Sequence, residues 1–159
     1  MARSCLLPLL AAASLCAAAG CVDTDPTVFV DASIVAPELA LERVALGVSL
    51  QGTFALDLHL GPRASGTSEV SLNSFSITNA DQSTTLVASL PASPANPVEV
   101  DPGEDVRVEL RFATDPGTLS AEDALCTPNG IRITGTIQDS LQDGQTPVAS
   151  PTFSARCTP

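Results

Sequence analysis

A two-residue period runs through most of this chain and constrains its fold more than any other feature. Val106, Val108, Leu110 and Phe112 alternate with Arg107, Glu109 and Arg111. Ile131, Ile133 and Ile137 alternate with Arg132, Thr134 and Thr136, and Phe54, Leu56, Leu58 and Leu60 with Ala55, Asp57 and His59. Successive side chains of a strand point to opposite faces, so each run describes a strand with one face buried. Val44, Leu46, Val48 and Leu50 keep one parity. Val28, Val30 and Ala32 start the pattern, Leu86, Ala88 and Leu90 extend it, Val98 and Val100 make a short run, and Phe153, Ala155 and Cys157 end it. Parity switches between Val70/Leu72 and Phe75/Ile77, which predicts a bulge near Asn73-Ser74.

Turn chemistry separates the runs. Asp101-Pro102-Gly103 and Asp115-Pro116-Gly117 combine an Asp that bonds its own backbone, a Pro that sets φ and a Gly that accepts positive φ. Gly61 to Gly66 reads as a loop, Asn79 to Gln82 as a hairpin turn, Pro91 to Pro97 as a linker, and Asp143-Gly144 as the turn between the last two strands. A three-residue loop at Gln51 to Thr53 would set Leu50 opposite Phe54 on one apolar face. Pro37 to Leu46 carries two signatures: Pro first, Glu38 next and Gly47 after suit a helix, whereas the Val44/Leu46 parity suits a strand. Ser120 with Asp123 could cap one helical turn before Cys126. Eight or nine short strands with Pro/Gly turns and no long helix make an all-β, antiparallel β-sandwich over residues 28–159.

The stretch Val98-Glu99-Val100, Asp101-Pro102-Gly103-Glu104, Val106 to Phe112 resembles the strand-turn-strand of bacterial immunoglobulin-like modules, which implies an immunoglobulin-like sandwich. An antibody-type domain is not implied: the chain has no Trp and no Tyr for that family's core and corner positions.

The first twenty residues read as an address. Arg3 precedes a mostly apolar run from Cys5 to Ala19, too short for a bilayer that needs about 20 helical residues but suited to a signal peptide. The run ends in Ala18-Ala19-Gly20-Cys21, which resembles the lipobox of bacterial lipoproteins, with Ala18 where the family usually has Leu. The resemblance implies cleavage after Gly20, lipid on Cys21 and a lipid bilayer as partner. Residues 21–27 then form an acylated terminus and tether. Val22, where some bacteria use Asp for inner-membrane retention, suits the outer membrane or cell surface. The alternative is an ordinary signal cleaved near Ala19, giving a soluble secreted module. If Cys21 carries lipid, Cys126 and Cys157 remain as an even pair in an oxidising compartment, and a disulfide between them is expected. It would close a loop of about 32 residues, worth roughly 3.5–4 kcal/mol by chain entropy.

Charge and composition then exclude functions. The formal net charge is −11, and all seven basic residues are Arg. Such a surface repels phosphate backbones, so no nucleic-acid partner is expected. Without Lys there is no Walker A or Schiff-base lysine. The single His59 alternates out of the apolar face with Asp57 beside it, which is less than a nucleophile-base-orienter set. Gly47-Val48-Ser49-Leu50-Gln51-Gly52 misses the nucleophile-elbow spacing by one residue. Catalytic residues and cofactors are therefore not expected. Asp101, Glu104 and Asp105 around one turn are weak Ca²⁺ candidates, and Asp115, Glu122 and Asp123 flank another. A solvated acidic rim explains both groups as well. The expected role is binding, adhesion or support of assembly, toward an envelope protein or glycan.

Overall fold

The computed structural model describes residues 28–90, 97–117, 119 and 122–157. Nine strands form two sheets. One sheet has the order β6-β2-β1-β9, built from Asp105–Ala113, Gly47–His59, Asp31–Val44 and Arg156–Cys157. The other has the order β4-β3-β7-β8, built from Thr85–Leu90, Ser68–Asn79, Ile131–Asp139 and Thr146–Ala149, with β5 (Val98–Val100) also on β3. All pairings are antiparallel except β1 with β9. A single helical turn, α1 (Glu122–Leu125), precedes β7. Ser120 lies outside the described residues, as do the side chains of Glu122 and Asp123.

This is an immunoglobulin-like sandwich: β6-β2-β1 take the places of the family's E, B and A strands, and β8-β7-β3 those of G, F and C. One strand departs. β5 follows β4 in the chain, where the family's D strand would pair with E, but it pairs with β3 instead. The Asp101–Glu104 turn therefore crosses between the sheets, closed by Glu104 N–H donating to Asp101 C=O at 3.0 Å. The strand-turn-strand expected as one unit is split over two sheets.

The core is where the period predicted. Leu50, Phe54, Leu56, Leu58 and Leu60 are buried from β2 and the residue after it, and Ile131, Ile133 and Ile137 from β7. Each such side chain contributes about 1.5–3 kcal/mol on leaving water. Phe54 joins the layers, 5.0 Å from Phe75 edge-on and 6.1 Å from Phe112 between ring centroids. The bulge expected at Asn73-Ser74 is present: β3 gains a residue against β7 between Leu72 and Phe75.

One open reading is resolved and three expectations are corrected. First, of the two readings of Pro37–Leu46 the strand holds as far as Val44. β1 runs to Val44, with a bulge between Val35 and Glu38 where Ala36 takes φ +47°. One extra residue flips the inward parity, from Val30 and Ile34 before it to Leu39 and Leu41 after it. Second, the run from Val44 to Leu50 is not one strand. Val44 pairs with Gly47, so Ala45-Leu46 form the tip of the β1–β2 hairpin and Leu46 is 83% exposed. Third, Gln51–Thr53 is no loop but the middle of β2. Gly52 is there because a β-carbon would sit 2.5 Å from Phe112 Cζ and from the Glu38 carbonyl. A glycine demanded by close approach looks, in sequence, like one demanded by a turn. Fourth, Phe153 to Cys157 is no continuous strand. Phe153 bridges Ile131, and the chain then crosses to lay Arg156–Cys157 along Ala40–Leu41. β8 escaped the pattern because Val148 is its only buried residue and Pro147 its neighbour.

The expected disulfide is formed. Cys126 and Cys157 are 31 positions apart, with Cα atoms 6.1 Å apart. It ties the approach to β7 in one sheet to β9 in the other.

Candidate functional site

The outer face of the β6-β2-β1 layer gathers the charged side chains that the alternation turns away from the core. Register sets them in rows across three strands: Asp31–His59–Asp105, then Ser33–Asp57–Arg107, then Val35–Ala55–Glu109, and beyond the β1 bulge Glu38–Thr53–Arg111. Arg107 donates twice to Asp57, from Nε to Oδ1 at 2.6 Å and from Nη2 to Oδ2 at 2.8 Å. This bidentate pairing, with the arginine's charge, holds the Asp57 carboxyl below the usual aspartate range. The same pair raises Arg107. His59 Nδ1 lies 2.7 Å from Asp105 Oδ1. The Asp57–Arg107 ion pair and the His59–Asp105 contact line an open hollow of about 360 Å³ with Asp31 and Ser33. Farther along the face, Arg156 Nη2 donates to Glu38 Oε2 at 3.1 Å beside Arg111, Thr53 and Gln51, around a second hollow of about 410 Å³.

His59 and Asp57, neighbours in the sequence reading, belong to different pairs. Asp57 is taken by Arg107, and the partner of His59 comes from another strand. Ser33 pairs across from Asp57, not from His59. The face thus offers fixed donors and acceptors in shallow relief, an arrangement suited to recognition of a polar surface. Sequence reasoning missed Arg107, Arg111 and Arg156 as its members. Their outward parity was legible for β6, but only the β2–β6 register brings Arg107 onto Asp57.

The three carboxyls named for Ca²⁺ are not brought together. Asp101 Oδ1 accepts from Thr67 Oγ1 at 2.6 Å, Glu104 Oε2 accepts the Asp101 N–H at 3.1 Å, and Asp105 faces His59. Among the described residues no three His, Cys, Asp or Glu side chains form a group that could hold a metal ion. Asp115 lies in the turn after β6, away from that set in sequence and topology. Cys21 and the residues of its motif lie outside the described residues.

A second polar cluster was not anticipated at all. Asp139, at the end of β7, is fully buried. Its Oδ1 accepts from Ser68 Oγ at 2.5 Å and from the Leu141 N–H at 2.8 Å, and its Oδ2 accepts the Val30 N–H at 2.7 Å. Val30 leads into β1 and Ser68 opens β3, so this one side chain ties both sheets. Its sequence context, Asp139-Ser140 before a turn, is indistinguishable from a solvated loop.

No family model, curated protein or solved structure matches this chain. Among the described residues no helix is long and apolar enough to cross a membrane.

Proposed function

We propose that this chain is a lipid-anchored, non-enzymatic sandwich of the bacterial envelope, held at the outer membrane or cell surface through acylated Cys21. Its role is binding, adhesion or support of an envelope assembly, through the charged outer face of the β6-β2-β1 layer, toward an envelope protein or glycan. The observation that carries this reading is Ala18-Ala19-Gly20-Cys21 after a short apolar run, ten residues before the first strand.

The physics is consistent. A net charge of −11 is repelled by anionic headgroups, so surface attraction would not hold this protein to a bilayer and covalent lipid would. Each buried methylene adds about 0.8 kcal/mol, and more than one acyl chain makes the anchor stable. Ten residues span at most about 35 Å, which holds the sandwich close to the bilayer while leaving its faces free. On the outer face, Asp57 is already held by Arg107 and His59 by Asp105, which suits a recognition surface better than a reaction centre.

Mass spectrometry of the mature protein from bacterial membranes tests the anchor. The expected N-terminal peptide begins at Cys21 and carries a thioether-linked diacylglycerol, and Cys21→Ala moves the protein to the soluble fraction. A mature terminus free of acyl chains would overturn the reading in favour of a secreted module.

A further inference from the structure

Because β5 joins β3, β6 is left as an edge: among the described residues it hydrogen-bonds to β2 alone. The ladder shows which of its backbone groups are unused. The Leu60 N–H donates to the Glu104 carbonyl at 3.1 Å, and the Thr114 N–H to the Leu50 carbonyl at 2.8 Å. Both bonds extend the unbroken β2–β6 register, so even-numbered residues turn their backbone groups to β2. Asp105, Arg107, Glu109, Arg111 and Ala113 therefore direct their N–H and C=O groups at the open edge. Their side chains share the outer face, and the charges run minus, plus, minus, plus from 105 to 111.

That order is complementary to itself when reversed. We propose that two copies of this chain join antiparallel through β6, about a two-fold axis at Val108. Arg107 of each copy then lies opposite Glu109 of the other, and Asp105 opposite Arg111. All four facing pairs carry opposite charge, which stabilises cross-strand neighbours. The hydrogen-bonded positions are the odd residues, whose backbone groups are unused, so ladder and charge agree on one register. A slide of two residues in one sense sets Glu109 against Glu109 and Arg107 against Arg111. In the other sense it sets Arg107 against Arg107 and Asp105 against Glu109. Both place like charges opposite one another and are disfavoured.

Two further observations favour a second copy as occupant. Val106 and Val108, on the core side of β6, are only half-buried at the sandwich rim. The pairing sets Val108 against itself and Val106 against Leu110, covering that rim. In a chain of net charge −11, two of the seven arginines stand on this strand, and Glu109 and Arg111 have no side-chain hydrogen bond or ion pair among the described residues. The edge is thus locally neutral, where two acidic molecules can approach. Charges on an edge strand ordinarily blunt pairing. A row of one sign would do that against a like copy, whereas an alternating row does not.

The experiment uses the full chain and does not depend on whether Cys21 is acylated. Val108→Cys places a thiol on the axis, at a non-hydrogen-bonded position where facing Cα atoms are about 4.5 Å apart, within disulfide reach. Mild oxidation in the cell is expected to give a covalent dimer on a non-reducing gel, and Val106→Cys, which faces Leu110, is not. Light scattering of the purified wild-type chain is expected to give twice the protomer mass. Glu109→Arg sets arginine against arginine twice and is expected to weaken association about tenfold or more. Adding Arg107→Glu to it restores opposite charges and the dimer, a rescue that a misfolded variant would not show. A wild-type monomer with no Val108→Cys cross-link overturns the proposal, as does a cross-link indifferent to Glu109→Arg.

Discussion

The two ends of β7 are tied to the opposite sheet in different ways. Before its first residue, Cys126 reaches Cys157 by a covalent bond, and both cysteines are exposed. At its last residue, fully buried Asp139 reaches across to the Val30 N–H before β1 by a hydrogen bond, and holds Ser68 of its own sheet as well. The covalent tie acts on the unfolded chain, whose entropy it removes, and therefore works without burial. The hydrogen-bonded tie acts only in the folded interior, where three donors would otherwise lack partners. One fastening is independent of its surroundings, and the other is made by them.

Either fastening can be removed by substitution. The largest effect is expected from replacing both cysteines, Cys126→Ser with Cys157→Ser, which should lower the unfolding free energy by about 3.5–4 kcal/mol. Urea unfolding measures it, and reductant applied to the wild type should reproduce it. A loss near zero would mean the crosslink does not restrain the unfolded chain. Next, Asp139→Ala should cost about 3 kcal/mol, since it leaves the Val30 N–H and the Ser68 hydroxyl unpaired in the interior and takes the acceptor from the half-buried Leu141 N–H. Hydrogen exchange should show the Val30 and Leu141 amides losing protection first. A cost below about 1 kcal/mol, the range of an ordinary exposed contact, would show that the buried tie is not structural.

The exposed Asp57–Arg107 pair sharpens the contrast as the smallest case. Asp57 titrates below its ordinary range in the folded state, because Arg107 bonds its charged form. A group depressed on folding adds stability above its unfolded pKa and loses it as pH falls through the folded value. The increment is therefore present at neutral pH and disappears on acidification through the carboxylate range. Arg107→Ala should return Asp57 to the ordinary range in a carbon-detected NMR titration while barely moving the neutral-pH melting curve. An unchanged Asp57 titration would show that the bidentate bridge is not what holds it down.

Much of this was legible along the chain. Inward parity named Leu56, Leu58, Ile133 and Ile137 as core, because period two is a property of one strand by itself. The Asn73-Ser74 bulge was legible for the same reason: a parity switch inside a run needs no partner to be seen. The β1 bulge was not, because Pro37 and Glu38 imitate a helix start and the apolar residues beyond them were joined to the wrong side of the hairpin. Gly52 was misread because its cause, the Phe112 ring, comes from a strand sixty residues away. For the outer face, parity gave the outward direction of Asp57, His59, Arg107 and Glu109 but not their partners. Asp139 was invisible for the strongest reason: nothing local separates an aspartate in a turn from one closing an interior network.

By itself the amino-acid order determined the strand content, the identity of most buried side chains and the pairing of two cysteines. These follow from local stereochemistry and from counting. The tertiary structure alone decided neighbours: that β5 deserts β6 for β3, that His59 meets Asp105 while Asp57 meets Arg107, and that a carboxyl lies inside. Pairing across strands depends on which sheet a strand joins and in what register. Those choices minimise exposed apolar area and unpaired backbone groups over the whole molecule at once, so no short stretch of chain encodes them.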